Sequence, residues 1–303
     1  MSNITAALVK ELRERTGCGM MDCKKALTET AGDMEKAIDY LREKGLSKAA
    51  KKSGRVAAEG MVKLAFSADG KKGALIEVNA ETDFVAKNQE FVDMVDGFAG
   101  IVLANDVADV AALEACPMED GTVKDVLTAK IAKIGENMTI RRFAKFDEAG
   151  TVCVGYSHNG KIGVIVQFET AAKADEIQAM GRNVAMQVCS MNPQFVDETQ
   201  VDPEYLEKEK EILVQQALNE GKPQNIVEKM VAGRLKKELK ETCLMEQAFV
   251  MDGDLSVQQY VEKTAKEIGK DIKVKAFVRY EVGEGIEKKV DDLAAEVAKM
   301  TQA

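Results

Sequence analysis

The side chains of this sequence that could do chemistry are its carboxylates, its six thiols and a single imidazole. His158 is the only histidine, which excludes a metal site built from several histidines and leaves any histidine-dependent nucleophile to that one residue. Carboxylates are abundant, but acidic residues at this frequency usually form a solvated surface. The sequence therefore predicts no catalytic residues, no metal site and no cofactor.

The cysteines are scattered along the chain, and no two of them form a C-x-x-C pair. This spacing fits neither a zinc site nor a disulfide framework, so we expect reduced and mostly structural thiols. The sequence also has no G-x-x-x-x-G-K-[ST] phosphate loop. We do not expect the chain itself to bind a nucleotide.

A bulky aromatic residue stands in an unusual place in the stretch EVNAETDFVAKNQ, which runs from Glu77 to Gln89. Phe84 directly follows a polar series that includes Thr82 and Asp83, at the end of an apolar run typical of a strand. On the pattern alone, the commoner interpretation is a hydrophobic staple for the helix that begins nearby. The other interpretation is a side chain presented to a partner.

Two further features could contact a partner. Met20 and Met21 are adjacent at the start of a predicted helix, so they cannot both face its core, and methionine adapts well to interfaces. His158 lies beside a predicted turn, where an ordinary surface role is the commoner one. The pattern alone leaves both roles open for each feature.

The charge balance restricts the class of partner. A formal net charge of −9 and a pI near 5.0 disfavour nucleic acid and anionic lipid, and favour a protein partner. No apolar run approaches the ~20 residues of a membrane span, and the early acidic residues Glu11 and Glu14 argue against an export or transit peptide. We expect a cytoplasmic protein without a direct nucleic-acid or membrane partner.

The elements that must position these residues begin with a helical module. Residues 3–45 have apolar residues at the spacing of three short helices. We predict Asp33 as the N-cap of the third helix and Gly45 as its end. The basic, small-residue segment Ser47 to Arg55 is the expected linker.

An internal repeat fills the middle of the chain. DGKKGALIEVNAETD from Asp69 aligns with NGKIGVIVQFETAAK from Asn159, at the offset of 90 residues that separates Gly70 from Gly160. Each copy has the pattern of a strand, a glycine-rich tight turn, an apolar strand and then a helix. We therefore predict two related α+β subdomains, each with a small antiparallel sheet.

The predicted fold class is α+β, in five parts. They are an N-terminal three-helix module similar to ubiquitin-associated domains at 1–54, a core subdomain at 55–147, a second core subdomain at 148–285, an antiparallel helical hairpin inserted into it at 197–240, and a C-terminal helical module at 286–303. A strand is expected between Asp271 and Gly285, and a closing helix from Glu287 to Met300.

Five stretches together resemble one protein family. They are LVKELRERTGCGMMDCKKALTETAGD, NAETDFVAKN, KIGENMTIRR, HNGKIGVIV and VRYEVGEGIEK. In this order, and spread along the whole chain, they look like translation elongation factor Ts. The resemblance implies a guanine-nucleotide exchange factor and not an enzyme. Such a factor binds elongation factor Tu with GDP, displaces Mg²⁺ and GDP, and stays bound until GTP dissociates it.

The resemblance also implies roles for particular residues. The segment matching Thr82, Asp83, Phe84 and Val85 enters the GTP-binding domain of the partner and disturbs its Mg²⁺ and phosphate-binding elements. Other partner contacts implied by the resemblance are Lys10, Arg13, Met20, Met21, Lys24, Ile134 and His158. The helical hairpin is the element implied to pair two copies, as a homodimer or a complex of two chains with two partners.

Two hypotheses from other classes remain. An adaptor protein could use the N-terminal helical module to bind a different partner, which would leave the TDFV stretch without a function. An enzyme with an unrecognised carboxylate site is the other alternative, which turnover by the isolated chain would reveal.

Overall fold

The computed structural model describes residues 4–16, 18–119, 121–221 and 223–287. The chain divides into two compact units, the first formed by residues 1–62, 76–143 and 281–303 and the second by residues 63–75 and 144–280. The predicted boundaries at 54, 147 and 285 stay a prediction. The closing helix predicted from Glu287 to Met300, and nearly all of the 286–303 module, lie outside the described residues.

Three helices form the N-terminal module, as predicted. They are α1 (Ala6–Thr16), α2 (Met20–Glu29) and α3 (Met34–Ala50). Their small core contains Leu12, Cys23 and Leu27, all fully buried. Asp33 caps α3 as expected, because its side chain accepts a hydrogen bond from the Lys36 N–H at 3.1 Å.

The prediction that α3 ends at Gly45 is wrong. The helix continues to Ala50, so the connecting segment begins later than predicted. A Cβ placed on Gly45 would lie 3.6 Å from the Ala132 side chain, and Gly45 is buried. Gly45 is therefore a buried residue inside the helix and does not terminate it.

Among the described residues, the first copy of the repeat and the segment after it form nine α-helices and β-strands. In chain order they are β1 (Glu59–Phe66), β2 (Lys72–Ala80), α4 (Asp83–Ala86), α5 (Gln89–Ala104), α6 (Val110–Ala115), β3 (Pro117–Met118), β4 (Gly121–Thr122), α7 (Val123–Ile134) and β5 (Met138–Asp147). The sheet order is β1-β2-β5, and β3 and β4 form a separate two-stranded sheet. Helix α5 buries Phe91, Val95 and Phe98, at the apolar spacing of a core-facing helix.

The second copy contributes nine more α-helices and β-strands in the part of the chain that the structure describes. They are β6 (Thr151–His158), β7 (Ile162–Thr170), α8 (Ala174–Met191), α9 (Pro203–Asn219), α10 (Gln224–Thr242), β8 (Ala248–Phe249), β9 (Asp252–Ser256), α11 (Val257–Ile268) and β10 (Ile272–Glu281). The sheet order is β10-β7-β6, with β6 and β7 antiparallel. A core that includes Phe168, Ile177 and Leu244 fills this unit, and β10 confirms the late strand.

The two repeat copies have the same local architecture. Gly70 and Gly160 adopt φ angles of 69° and 68° in the turns between their strands. This left-handed conformation is open to glycine without a steric cost, which explains why both tight turns carry it at the same repeat position.

The helical insertion is an antiparallel pair formed by α9 and α10, as predicted. Its apolar contacts centre on Ala217, Val227 and Val231. Ile212 and Leu218 on α9 remain exposed. Both side chains are thus available at the surface.

A fully buried carboxylate ties distant parts of the first unit together. Glu77 on β2 accepts hydrogen bonds from Arg141 Nη1 at 3.0 Å and Arg142 Nε at 2.6 Å, two residues of β5. It also accepts from the Asn79 side chain and from the Gly283 N–H at 2.8 Å. A buried charge is tolerated only when it is paired and hydrogen-bonded, and Glu77 meets both conditions.

Candidate functional site

A one-turn helix at the end of β2 presents Phe84 to solvent. Thr82 is the N-cap of α4, with its Oγ1 accepting from the Val85 N–H at 3.4 Å. Val85 and Ala86 are buried, whereas 82% of Phe84 is exposed. Since a one-turn helix has two sides, burying one of them directs Phe84 outward. The staple interpretation of Phe84 does not hold in this structure.

The base of this helix is held by two acidic side chains. Glu136 accepts from the Thr82 N–H at 3.0 Å and from its hydroxyl at 2.8 Å. Glu81 accepts from the Asn137 N–H at 2.5 Å and lies 3.4 Å from a guanidinium nitrogen of Arg55. The polar residues before Phe84 therefore fix the backbone that carries it.

Asp83 lies beside Phe84 and is half-exposed. Its carboxylate pairs with Lys87, one helical turn later, at 2.6 Å. The Asp83 hydrogen bond raises the pKa of Lys87, so the lysine stays charged at neutral pH. The tip thus shows an aromatic ring next to an ion pair.

The N-terminal module presents methionine and basic side chains together. Met20 and Met21 are 57% and 75% exposed, so neither faces the core. The opposite face of α2 buries Cys23, Ala26 and Leu27. The three predicted basic contact residues are all exposed: Lys10, Arg13 and Lys24.

The acidic residue in the first turn of α2 forms ion pairs with lysines of α3. Asp22 accepts from Lys44 and Lys48 on α3, each at 3.0 Å. The hydrogen bond from Lys44, followed by that from Lys48, lowers the pKa of Asp22. Asp22 is therefore bound by α3, while Met20 and Met21 on the same helix remain exposed.

Ile134 is brought close to the Phe84 tip through its own segment. It is the last residue of α7 and is half-buried. Gly135 then ends the helix in the left-handed conformation, with φ at 89°. The next residue, Glu136, accepts the hydrogen bond from the Thr82 hydroxyl. The structure therefore places the predicted contact Ile134 two residues from the support of the tip.

His158 belongs to the second unit and is exposed at the end of β6. Its Nδ1 lies 3.0 Å from the Tyr156 hydroxyl. The Arg182 guanidinium lies 5.2 Å from the centre of the Tyr156 ring, within cation–π range. His158 is thus an accessible polar group oriented by one tyrosine.

Other chemistry finds little support in the part of the chain that the structure describes. Within that part, no group of three or more His, Cys, Asp or Glu side chains is placed to hold a metal ion. Burial raises the pKa of the Cys153 thiol to about 12, which makes it a poor nucleophile at neutral pH. A search of the described residues likewise found no helix long and apolar enough to cross a membrane.

Comparison with known proteins decides the family. The family model for elongation factor TS matches residues 81–284, which is more than half of the chain. The chain is 56% identical over 301 residues to elongation factor Ts of Clostridioides difficile strain 630, covering 99% of each protein.

The chain belongs to the elongation factor Ts family. A further member, from Clostridium perfringens strain SM101, is 55% identical over 299 residues and covers 98% of this chain. The elongation factor Ts from Clostridium tetani strain Massachusetts is 52% identical over 303 residues, spanning 99% of this chain and all of the relative.

The match to the elongation factor Ts family model begins at Glu81, the first residue after β2, and so includes the whole Phe84 tip. It also covers Ile134, Glu136 and His158. The methionine face of α2 lies before the matched range, within the near full-length identity to the elongation factor Ts relatives.

Sequence reasoning missed Glu136 and the contact between Glu81 and Asn137. KIGENMTIRR and NAETDFVAKN both stand out in the sequence, but no periodicity links residues more than 50 positions apart. A signal was present in the sequence: two acidic residues, Glu81 and Glu136, lie at the ends of elements where backbone N–H groups need acceptors.

Proposed function

We propose that this chain is the guanine-nucleotide exchange factor of translation elongation and acts on elongation factor Tu. Membership of the elongation factor Ts family supports the general function. The single observation that carries the mechanism is Phe84, an aromatic side chain 82% exposed on a fixed one-turn helix. The chain binds and exchanges, and it carries out no chemical reaction of its own.

The tip acts on what holds GDP in the partner. A GTPase binds GDP through phosphate-loop amides and a Mg²⁺ ion, so displacing either one removes a large electrostatic share of the affinity. Insertion of Phe84 stabilises the open arrangement of the loop by burial of the ring, about 1.5 to 3 kcal/mol for one such side chain. Asp83, whose carboxylate is paired with Lys87, adds a polar contact with the partner at the same place.

Binding of the chain and binding of GDP oppose one another. If the chain weakens GDP binding by some factor, GDP must weaken binding of the chain by the same factor. Entry of GTP into the emptied partner then dissociates the chain in the same way. The exchange factor is therefore released at the end of each cycle and can act again.

Further contacts complete the proposed interface. The exposed Met20 and Met21 fit an apolar partner surface, and the exposed Lys10, Arg13 and Lys24 of the same module fit acidic residues on it. Ile134 adds to the contact at the tip, and His158 supplies a separate polar contact from the second unit. The net charge of −9 supports a protein partner without direct nucleic-acid or membrane binding.

Pairing of two copies through the helical hairpin is part of the proposal. Ile212 and Leu218 on α9 are exposed apolar side chains that a second hairpin could bury. Light scattering of the free chain and of its complex tests this pairing. A complex with one copy of each protein at every concentration contradicts it.

The exchange function is tested by release of a fluorescent GDP analogue from elongation factor Tu. The unmodified chain accelerates release, and Phe84→Ala lowers the accelerated rate by about 10- to 100-fold, the equivalent of 1.5 to 3 kcal/mol. Because Phe84 is exposed, the same substitution changes the free energy of unfolding by less than about 0.5 kcal/mol.

Met251→Ala is the matched control, since Met251 is also a large apolar side chain with 61% exposure. It retains the release rate of the unmodified chain. Failure of the unmodified chain to accelerate release contradicts the function, and an equal loss in both variants contradicts the special role of Phe84.

A further inference from the structure

Two segments of the first unit exchange carboxylate-to-backbone hydrogen bonds. The Thr82 N–H donates to the Glu136 side chain at 3.0 Å, and the Asn137 N–H donates to the Glu81 side chain at 2.5 Å. Each acidic residue thus binds the backbone of the residue that follows its counterpart. We name these four residues, Glu81, Thr82, Glu136 and Asn137, the reciprocal latch.

Glu136 makes the more constraining half of the latch. Besides the N–H group, its carboxylate accepts the Thr82 hydroxyl hydrogen at 2.8 Å. The same hydroxyl oxygen accepts from the Val85 N–H as the N-cap of α4. One side chain therefore fixes the direction of the Thr82 hydroxyl, and this direction fixes the first turn that carries Phe84.

The far side of the latch is itself anchored. Glu136 follows Gly135, whose N–H donates to the Ile131 carbonyl at 2.9 Å and whose carbonyl accepts from Lys52 Nζ. The Asn137 side chain donates to the Arg55 carbonyl at 2.8 Å. The carboxylate that grips Thr82 is thus held by α7 and by the segment that follows α3.

We propose that Glu136 is a positioning residue for Phe84. It holds the one-turn helix that carries Phe84 in a fixed conformation when the tip contacts the partner. This inference rests on the proposed exchange function and adds Glu136 to it, as the residue that makes the exposed tip rigid. Glu136 is half-buried and acts through Thr82, so it requires no contact with the partner. Positioning errors far smaller than a side chain can change rates by a large factor.

The consequence is a defined kinetic signature. Glu136→Gln keeps the shape of the side chain but replaces one of its two acceptor oxygens with a donor, which then faces a donor on Thr82. At saturating concentrations of the chain, we expect the maximal rate of GDP release to fall about tenfold. The concentration that gives half of this rate changes much less, because the remaining interface is intact.

The test is a double-substitution cycle with Phe84→Ala, measured on the full chain and on elongation factor Tu loaded with a fluorescent GDP analogue. If Glu136 acts only through the tip, adding Glu136→Gln to Phe84→Ala causes no further loss in the maximal rate. The control is Glu119→Gln, at an exposed glutamate in the same unit, which retains the full rate.

A second pair of variants keeps the test decisive if Glu136→Gln fails to fold by circular dichroism. Thr82→Ser keeps the hydroxyl and retains most of the rate, whereas Thr82→Val removes it and causes the same loss as expected for Glu136→Gln.

The outcomes separate the two proposals. An unmodified chain that does not release GDP overturns the proposed function itself. An active unmodified chain overturns the role of Glu136 if Glu136→Gln keeps the full rate, or if the two losses multiply in the double variant. Where Glu136→Gln does not fold, equal rates for Thr82→Ser and Thr82→Val overturn that role.

Discussion

The two copies of the internal repeat build the same hairpin and then diverge where the second strand meets its helix. In the first copy, β2 leads to the capped one-turn helix with Phe84 exposed. At the offset of 90 residues, Thr82 and Phe84 correspond to Ala172 and Ala174. Ala172 is buried, and Ala174 is the first residue of the 18-residue helix α8.

The difference lies at the junction between the second strand and the helix that follows it. The strands and turns are required for folding in both copies, so they remain alike. The junction after the second strand differs: in the first copy it presents Phe84 to solvent, and in the second copy Ala172 is buried. The second copy, with alanine at both positions, shows the junction in its purely structural form.

A second divergence lies inside the strands. Glu77 in β2 corresponds to Gln167 in β7, and both side chains are buried. Glu77 is balanced by Arg141 and Arg142, whereas Gln167 donates to the uncharged Thr151 hydroxyl at 3.1 Å. The copy that carries the tip thus relies on a buried charge, and the other copy relies on a neutral hydrogen bond.

Reciprocal substitution should give the largest effect. Glu77→Gln removes the charge that balances two arginines and lowers the free energy of unfolding by about 3 kcal/mol. Gln167→Glu buries a carboxylate beside a hydroxyl and also destabilises at neutral pH. Urea unfolding, with amide hydrogen exchange to distinguish the two units, measures both changes.

The free energies of unfolding of Glu77→Gln and Gln167→Glu should respond differently to a fall in pH. Burial raises the pKa of the introduced carboxyl at position 167, so its cost disappears once the pH is below the ordinary glutamate pKa of about 4.3. Gln167→Thr, which adds no charge, serves as the control without such a pH dependence. Equal, pH-independent losses at both positions would show that the charge difference between the copies is unimportant.

A smaller effect is expected from exchanging a glycine that only one copy needs. Gly155 on β6 corresponds to Ala65 on β1. A Cβ added to Gly155 would lie 2.6 Å from Leu64 Cδ2 and 2.7 Å from the Val164 carbonyl oxygen. Gly155→Ala therefore destabilises by about 1 to 3 kcal/mol, measured by thermal or urea unfolding.

Gly253→Ala is the matched control for this steric argument. A Cβ at Gly253 meets no atom within 4 Å, so the substitution is neutral or slightly stabilising. Similar losses in the two variants would assign the effect to backbone freedom and not to the close contact at Gly155.

The smallest effect on stability is expected from the ion pairs in the first turns of α5 and α8. Glu90 in the first turn of α5 pairs with Lys133 at 2.8 Å and Lys130 at 3.0 Å. These bonds, led by that from Lys133, lower the pKa of Glu90. In α8, Glu176 has a lowered pKa through the Lys173 N–H and then Lys270.

Since both pKa values are lowered by folding, the stabilisation is present above the ordinary glutamate pKa and is lost as the pH falls through the lowered one. Glu90→Gln should cost less than about 1 kcal/mol at pH 7, because the pair is partly exposed, and nothing at acid pH. Glu176→Gln should show the same sign. Urea unfolding at decreasing pH from pH 7 checks this, and a difference that does not shrink as the pH falls contradicts it.

Local pattern was enough to predict much of this fold. Gly70 and Gly160 mark tight turns because few other residues adopt their backbone angles, and their equal spacing reveals the repeat. Apolar spacing likewise identifies α1, α5 and the helical hairpin. The predicted helix end at Gly45 was wrong because one sequence does not distinguish a glycine that ends a helix from a buried glycine inside it.

Only part of the candidate site could be predicted from the sequence. Phe84 stands out through the polar residues around it, but its exposure depends on the burial of Val85 and on the latch to Glu136. The latch joins segments 54 residues apart, which no periodicity connects. Pairings of this kind depend on tertiary structure, and the sequence offers only side chains able to make them.

The hydrogen bond from the Gly283 N–H to Glu77 joins residues 206 positions apart, and this imposes an order on biosynthesis. The ribosome delivers Glu77 long before its last donor. At roughly 5 to 20 residues per second, the interval is about 10 to 40 s. During that time the strand that ends at the Phe84 tip carries a buried carboxylate with an incomplete set of donors. The last donor to Glu77 is therefore available only after nearly the whole of the described chain has been translated.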